Sequence, residues 1–318
     1  MATPRNKPSH SLNIMRIIDP HLHLFDLDCG DYSWLKPENP PYWPDKQIIT
    51  RNFDCSALTL EQPFSLAGFV HIEAGFDNNQ PWREIAWLEK TVSLPFKSVA
   101  TIDLSAELPS YCETLAKLNT FSSVVGVRHI LDESAEAILE QANIIEKFNM
   151  LANLGLHFEL QLSLADSAAQ SLLSAILDRV PNLRIMINHA GWPSLDITQD
   201  TSWQAGVQRL ARYDNIAIKC SGWEMTARDY CAHWQQQVID YAIACFGRHR
   251  VMLASNFPLS LFSNSYQALW QGYCDILKQS HLSNEVPNKV SNNVPSEVVN
   301  QLCFENAYTW YGFNSQKR

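Results

Sequence analysis

A (β/α)8 barrel is the fold this sequence predicts, and three observations predict it. Short apolar, β-branched runs recur eight times along the chain, amphipathic stretches lie between most of them, and every run ends in polar side chains. Strand, helix and strand in that alternation is the pattern of parallel βαβ units. A barrel gathers the C-terminal ends of its strands around one mouth, so the polar ends would converge. The competing doubly wound sheet is weakened because no Gly-X-Gly-X-X-Gly turn follows the first run, which also argues against a nucleotide cofactor.

Residues 17–25 lie in RIIDPHLHLFD, where an apolar pair, Ile17 and Ile18, delivers His21 and His23. On a strand these alternate residues share a face, close enough to share one ligand such as a metal ion; the plainer reading is a pair of hydrogen-bonded strand histidines. The connection after it, 27–47, is the longest and most aromatic. Tyr32, Trp34, Tyr42 and Trp43 stand among Pro37, Pro40, Pro41 and Pro44, giving either a lid over the mouth or a surface loop anchored by its aromatics.

Run 66–73 ends in His71 and Glu73, 98–104 in Asp103, 124–131 in Arg128 and His129, and 156–162 in Glu159 and Gln161. Run 183–189 ends in His189, 216–221 in Lys219 and Ser221, and 250–256 in Asn256. Helices are predicted over 82–91, 137–153, 168–179 and 234–246 from their 3.6-residue periodicity. A polar segment, 280–296, is expected to protrude, and Glu305-Asn306-Ala307 to start a terminal helix.

Composition sets the limits. Hydrophobic residues make up 46% of the 318 and charged ones 18%, enough for a large core. The reading is a polar leader over 1–15 and one barrel domain over 16–318. A net charge of −9, without any Lys/Arg run, excludes a nucleic-acid footprint. Eight cysteines without a Cys-X-X-Cys pair read as reduced. The first residues, MATPRNKPSHSLNIM, lack a signal-type apolar core, and no stretch reaches about 18 apolar residues. A cytoplasmic protein with no membrane partner is expected, acting on a small molecule; a homo-oligomer is left open.

Six motifs occur in one order over residues 16–312: Ile18-Asp19-Pro20-His21-Leu22-His23-Leu24-Phe25, Gly126-Val127-Arg128-His129, Asn188-His189-Ala190-Gly191-Trp192-Pro193, Lys219-Cys220-Ser221-Gly222, Ser255-Asn256-Phe257-Pro258 and Glu305-Asn306-Ala307. In these the chain resembles the lactonase-like branch of the amidohydrolase superfamily, which includes sugar-lactone hydrolases and the pyrone-dicarboxylate lactonase. That resemblance implies a (β/α)8 barrel and a hydrolase opening a sugar lactone or a carboxylate-bearing lactone. It implies a site built from His21, His23 and His189, with a divalent metal, most naturally zinc, as the cofactor of some branches. The same histidines serve as hydrogen-bond donors in others. The resembled site also has an aspartate after strand 8, where this chain carries Asn256.

Asparagine cannot take a proton from water at ordinary pH. Another base, with Glu73, Glu159 and Asp103 the candidates, a metal hydroxide, or a purely ligand-binding role are the three outcomes. Arg128 with His129 is the expected recognition pair, its alternative an ion pair of Arg128 with Glu73 or Glu159. His71, Glu159 and Lys219 are further expected contacts, Lys219 with the alternative of pairing to a carboxylate. Trp192 and Trp223 would form a stacking wall. The competing reaction is decarboxylation of an aromatic acid by a related barrel.

Overall fold

The computed structural model describes residues 14–279 and 297–314. Eight parallel strands form one sheet in the order β1 to β8: β1 (Met15–Leu22), β2 (Phe64–Ile72), β3 (Phe96–Thr101), β4 (Val124–Ile130), β5 (His157–Gln161), β6 (Ile185–Ile187), β7 (Ile216–Cys220) and β8 (Val251–Leu253). Each falls on an expected run, which makes the fold a nearly closed (β/α)8 barrel. Met15, expected in the leader, is the first residue of β1, and its N donates to Pro63 O at 2.7 Å. Residues 1–13 of the expected leader and the 280–296 segment lie outside the described residues.

The barrel is closed by β1 and the chain just past β8. Leu22 bridges Phe257 in parallel, Asn256 N donates to His21 O at 2.8 Å, and His23 N donates to Phe257 O at 2.7 Å. Asp19 pins the seam, accepting from Ser255 N at 3.0 Å and from the Tyr266 hydroxyl at 3.1 Å. Burial pushes its carboxyl up to about 6, against the pull of those hydrogen bonds.

Inside the barrel Ile18, Val70, Ile72, Val99, Met186, Ala217 and Met252 form one apolar layer. Phe304, Ala307 and Tyr311 plug it from the N-terminal end. The terminal helix starts earlier than expected, with α10 (Glu297–Asn300) running through a π segment, Gln301–Glu305, into α11 (Asn306–Trp310). Asn306 anchors it by donating to Arg248 O and Val251 O at 2.7 and 2.6 Å.

The outer helices that matter for the site are few. The first, α1 (Trp82–Thr91), follows Pro81 and buries Ile85 and Leu88 with Glu84 on the same face. The expected helix over 137–153 is two, α3 (Ala135–Leu139) and α4 (Ile144–Asn153). In α4 the buried Lys147 ammonium donates to Leu104 O at 2.6 Å and Ala106 O at 2.8 Å, satisfying carbonyls of the loop after β3. After β7 a single turn, α7 (Trp223–Thr226), leads to α8 (Ala232–Phe246).

Candidate active site

At the C-terminal mouth, β1 carries His21 and His23 inward. The pairing of β1 with β2 shifts register between Asp19 and Leu22, and this bulge turns the two histidines, not Leu22, to the interior. Their ring centroids are 5.2 Å apart, and His21 lies 4.6 Å from His189. His23 Nδ1 sits 2.7 Å from Ile72 O, so it carries the hydrogen and leaves Nε2 as a lone pair. His21 is the reverse. Its Nδ1 lies 3.0 Å from the Lys219 ammonium, which can only donate, so its hydrogen is on Nε2, a buried atom without a hydrogen-bond partner. Burial first, then nearby cations, hold His21 and His189 well below the usual imidazole range and His23 down to about 3, so all three are neutral.

His189 stands on a strained turn. His189, Ala190, Gly191 and Trp192 all have positive φ, between 51° and 70°, a conformation that non-glycine residues adopt at a cost of about 1–3 kcal/mol each. The turn aims the His189 ring into the mouth, 4.8 Å from Trp192 and with Nδ1 3.1 Å from Ser221 Oγ. Gly222 makes room for it, because a Cβ there would lie 2.4 Å from His189 Nδ1. Gly222→Ala is therefore expected to displace the ring and lower turnover by about 10²-fold with the barrel intact; steady-state kinetics beside circular dichroism checks it.

Two ion pairs fill the floor. Arg128 Nε donates to Glu73 Oε1 at 2.7 Å, Nη2 to Glu73 O at 3.0 Å and Nη1 to Gln161 Oε1 at 3.1 Å. Burial alone would raise the Glu73 carboxyl, but the guanidinium outweighs it and holds Glu73 low. Below them Lys219 pairs with Glu159, which also meets His157 Nε2 at 3.2 Å and the Tyr311 hydroxyl at 2.7 Å, all fully buried. Burial lowers Lys219 to about 8 against the pull of Glu159, leaving it mostly charged at neutral pH.

Asn256, with φ of 59°, faces the mouth just past β8. Its Nδ2 donates to Glu224 Oε1 at 2.6 Å. Glu224, on α7, is buried behind it and was not expected from the sequence.

The first loop is a wall of the site, and it is held in place. Lys46 Nζ donates to the carbonyls of Trp34, Lys36 and Asn39 at 2.9, 3.1 and 2.8 Å. Trp34 Nε1 donates to Ala74 O at 2.7 Å. Arg228 pairs with Asp45 at 2.8 Å and lies over Phe262 and Trp43, joining the loop to those after β7 and β8.

The cavity at this mouth is about 500 Å3. His23, Glu73, Arg128, His189, Trp192 and Asn256 line it, and so do Trp34, Trp43, Asp132, Gln161 and Met225. Other expected contacts lie elsewhere. His71 faces α1, with Nε2 3.0 Å from Glu84 and Nδ1 accepting from Leu24 N. His129, next to Arg128 and so on the opposite face, has its Nδ1 3.1 Å from Ile102 O and 3.2 Å from Leu104 N. Trp223 is buried in the wall, donating to the Tyr273 hydroxyl at 2.6 Å. Asp103 is exposed and bonded to Ser105, and Glu159 and Lys219 lie beneath the cavity. A larger open hollow of about 720 Å3, lined by Arg184, Asp214, Phe246 and Arg250, is at the opposite end of the barrel.

The donor set does not fit a metal ion. His21 presents Nε2–H where a ligand needs a lone pair, Asn256 stands where a carboxylate would, and Glu73 is neutralised by Arg128. Among the described residues no three His, Cys, Asp or Glu side chains are arranged to hold one. The expected zinc triad of His21, His23 and His189 is thus not assembled as folded, because Lys219 fixes the tautomer of its central member.

Residues 18–313 match the amidohydrolase family. A protein of unassigned function from Sinorhizobium fredii is 28% identical over 81% of this chain and 90% of its own length. An L-fucono-1,5-lactonase of Burkholderia ambifaria is 23% identical over 79% of this chain and 87% of its own. The crystal structure of an amidohydrolase from Burkholderia multivorans with bound zinc superposes with a TM-score of 0.71 at 20% identity, covering 93% of this chain and 99% of that one.

Proposed function

The chain belongs to the amidohydrolase family and is a hydrolase, and from that premise we propose that it opens an uncharged, hydroxylated lactone of the sugar-acid type. The observation that carries the reading is the charge of the cavity wall. Among the described residues its one cation, Arg128, is already paired with Glu73, a second carboxylate, Asp132, stands at the rim, and the histidines are neutral. A substrate carboxylate would find no unpaired cation among the described lining residues, which disfavours a dicarboxylate lactone and an aromatic acid alike. Trp34, Trp43 and Trp192 offer flat faces to the C–H side of a sugar ring, while Asn78, Gln161 and Asp132 offer polar atoms to hydroxyls. Kinship to an L-fucono-1,5-lactonase supports the same class.

The chemistry runs through this chain's own side chains. His23 Nε2 takes a proton from water as the oxygen attacks the lactone carbonyl, and the Glu73 carboxylate favours the imidazolium that forms. The one N–H of Arg128 not spent on Glu73 and Gln161, on Nη1, serves the developing oxyanion. When the ring C–O bond breaks, His23 returns the proton to the departing alkoxide, leaving an open hydroxy acid. One relative in the family carries zinc, and zinc would supply an activated water and a Lewis acid. The tautomer of His21 here does not favour that route.

The reading is tested by proton release from a panel of neutral aldonolactones and carboxylate-bearing lactones, with metal content measured on the same protein. Turnover is expected on the neutral class, at least tenfold better in kcat/KM than on any carboxylate-bearing member and unchanged by chelator. Preference for the charged class, or release of carbon dioxide from a hydroxybenzoate, would remove it.

A further inference from the structure

Behind the cavity wall lies a carboxyl that the mechanism above does not use. Glu224 is only 1% exposed, its Oε1 takes the amide hydrogen of Asn256 at 2.6 Å, and its Oε2 is buried with no hydrogen-bond partner among the described residues. It is not part of the cavity lining, whereas Asn256 is. We propose that Glu224 is a positioning residue: by holding the NH2 of Asn256 it turns Asn256 Oδ1 to the cavity, as the acceptor that orients the attacking water. This rests on the hydrolytic reading of the cavity given above.

The amide has two ends, and the partner behind it decides which faces the reaction. An ionised carboxylate can only accept, so it captures Nδ2 and leaves Oδ1 for the cavity. A protonated carboxyl can also donate, so it can capture Oδ1 and present NH2 to the cavity, where a water hydrogen finds no acceptor. Strand 8 thus carries an orienting amide, and the carboxyl that selects its orientation stands on the neighbouring β7 loop. The backbone assists, since Asn256 N is held by His21 O and its positive φ suits asparagine.

Burial raises the Glu224 carboxyl to about 7, opposed by the Asn256 hydrogen bond and by Arg228, so its ionisation falls within the working range. The titratable groups around it are Arg228, whose guanidinium bonds Glu224 O, and the hydroxyls of Tyr230 and Tyr273, both raised far from neutrality. Neither hydroxyl titrates between pH 5.5 and 8.5. The oriented amide should therefore fade as pH falls through 7.

The test is kcat and KM for wild type, Glu224→Gln, Glu224→Met, Asn256→Ala and the Glu224→Met/Asn256→Ala double variant, on the neutral lactone that wild type opens fastest, from pH 5.5 to 8.5. Wild type should lose kcat on the acid side around pH 7. Glu224→Gln, which can offer its carbonyl to Asn256 Nδ2 but cannot titrate, should keep much of its kcat and lose that acid limb. Glu224→Met should lower kcat by about 10- to 100-fold with KM within threefold, and the double variant should be no slower than Asn256→Ala alone. Wild-type kcat in Glu224→Met, or losses that add in the double variant, overturns the proposal. Should Glu224→Met fail to fold, an acid limb persisting in Glu224→Gln overturns it by itself. No turnover of any lactone by wild type overturns the hydrolytic reading and this role together, whereas an active wild type with an indifferent Glu224 overturns this role alone.

Discussion

Lys219→Met is expected to be the most damaging single substitution, costing about 3–5 kcal/mol at pH 7, because it strands a buried carboxylate. Lys219 and Glu159 are both fully buried, and the ammonium also donates to Pro20 O and His21. Burial alone would raise Glu159; Lys219 and His157 outweigh it and hold Glu159 at about 2. A carboxyl held below its unfolded value contributes stability above that value and loses it as pH falls through the folded one. Wild type therefore keeps this contribution down to about pH 4. The variant, its Glu159 unpaired, regains part of the loss as acid protonates that group. Urea unfolding should show a deficit that is largest at pH 8 and narrows toward pH 5. The Lys219→Met/Glu159→Met pair should recover much of it. A deficit below about 1 kcal/mol at pH 7, or one that widens with acid, would remove the buried pair from the account.

His23→Gln is expected to lower kcat/KM by about 10²- to 10⁴-fold while leaving the fold intact. Glutamine Nε2 can still donate toward the Ile72 carbonyl that His23 Nδ1 now meets at 2.7 Å, so little packing is lost. What disappears is the Nε2 lone pair facing the cavity. Because His23 is held down to about 3, its loss should not change the pH profile near neutrality, which separates it from Glu224. A variant within tenfold of wild type would move the proton transfer to another group.

Much of the architecture was legible in the sequence because parallel strands buried on both faces read as β-branched runs whatever surrounds them. The mouth was legible because those runs end in polar groups. Which polar groups face the mouth was less so, since alternation splits neighbours: Arg128 points in and His129 out, and His71 points to Glu84 on α1. The inward turn of His21 and His23 depends on a bulge that no local pattern announces. Partners across strands were less legible, because pairing depends on register: Glu73 was named for Arg128 only as an alternative to a substrate-binding role, and for Lys219 the alternative was a carboxylate without a number, which the structure shows to be Glu159. Glu224 was missed for a different reason. It ends no strand and matches no motif, and only its place beside Asn256 gives it meaning.

The central claim is that His23 on strand 1 and Arg128 on strand 4, with Asn256 in the strand-8 position, open a neutral sugar lactone through side chains alone. A pH-stat measurement of proton release from neutral five- and six-membered aldonolactones tests it most directly. Wild-type protein freed of metal by chelator is run beside His23→Gln. Release above the spontaneous rate, proportional to enzyme and lost in His23→Gln, is the expected result. No release above the spontaneous rate, or release that appears only when zinc is restored, would contradict it.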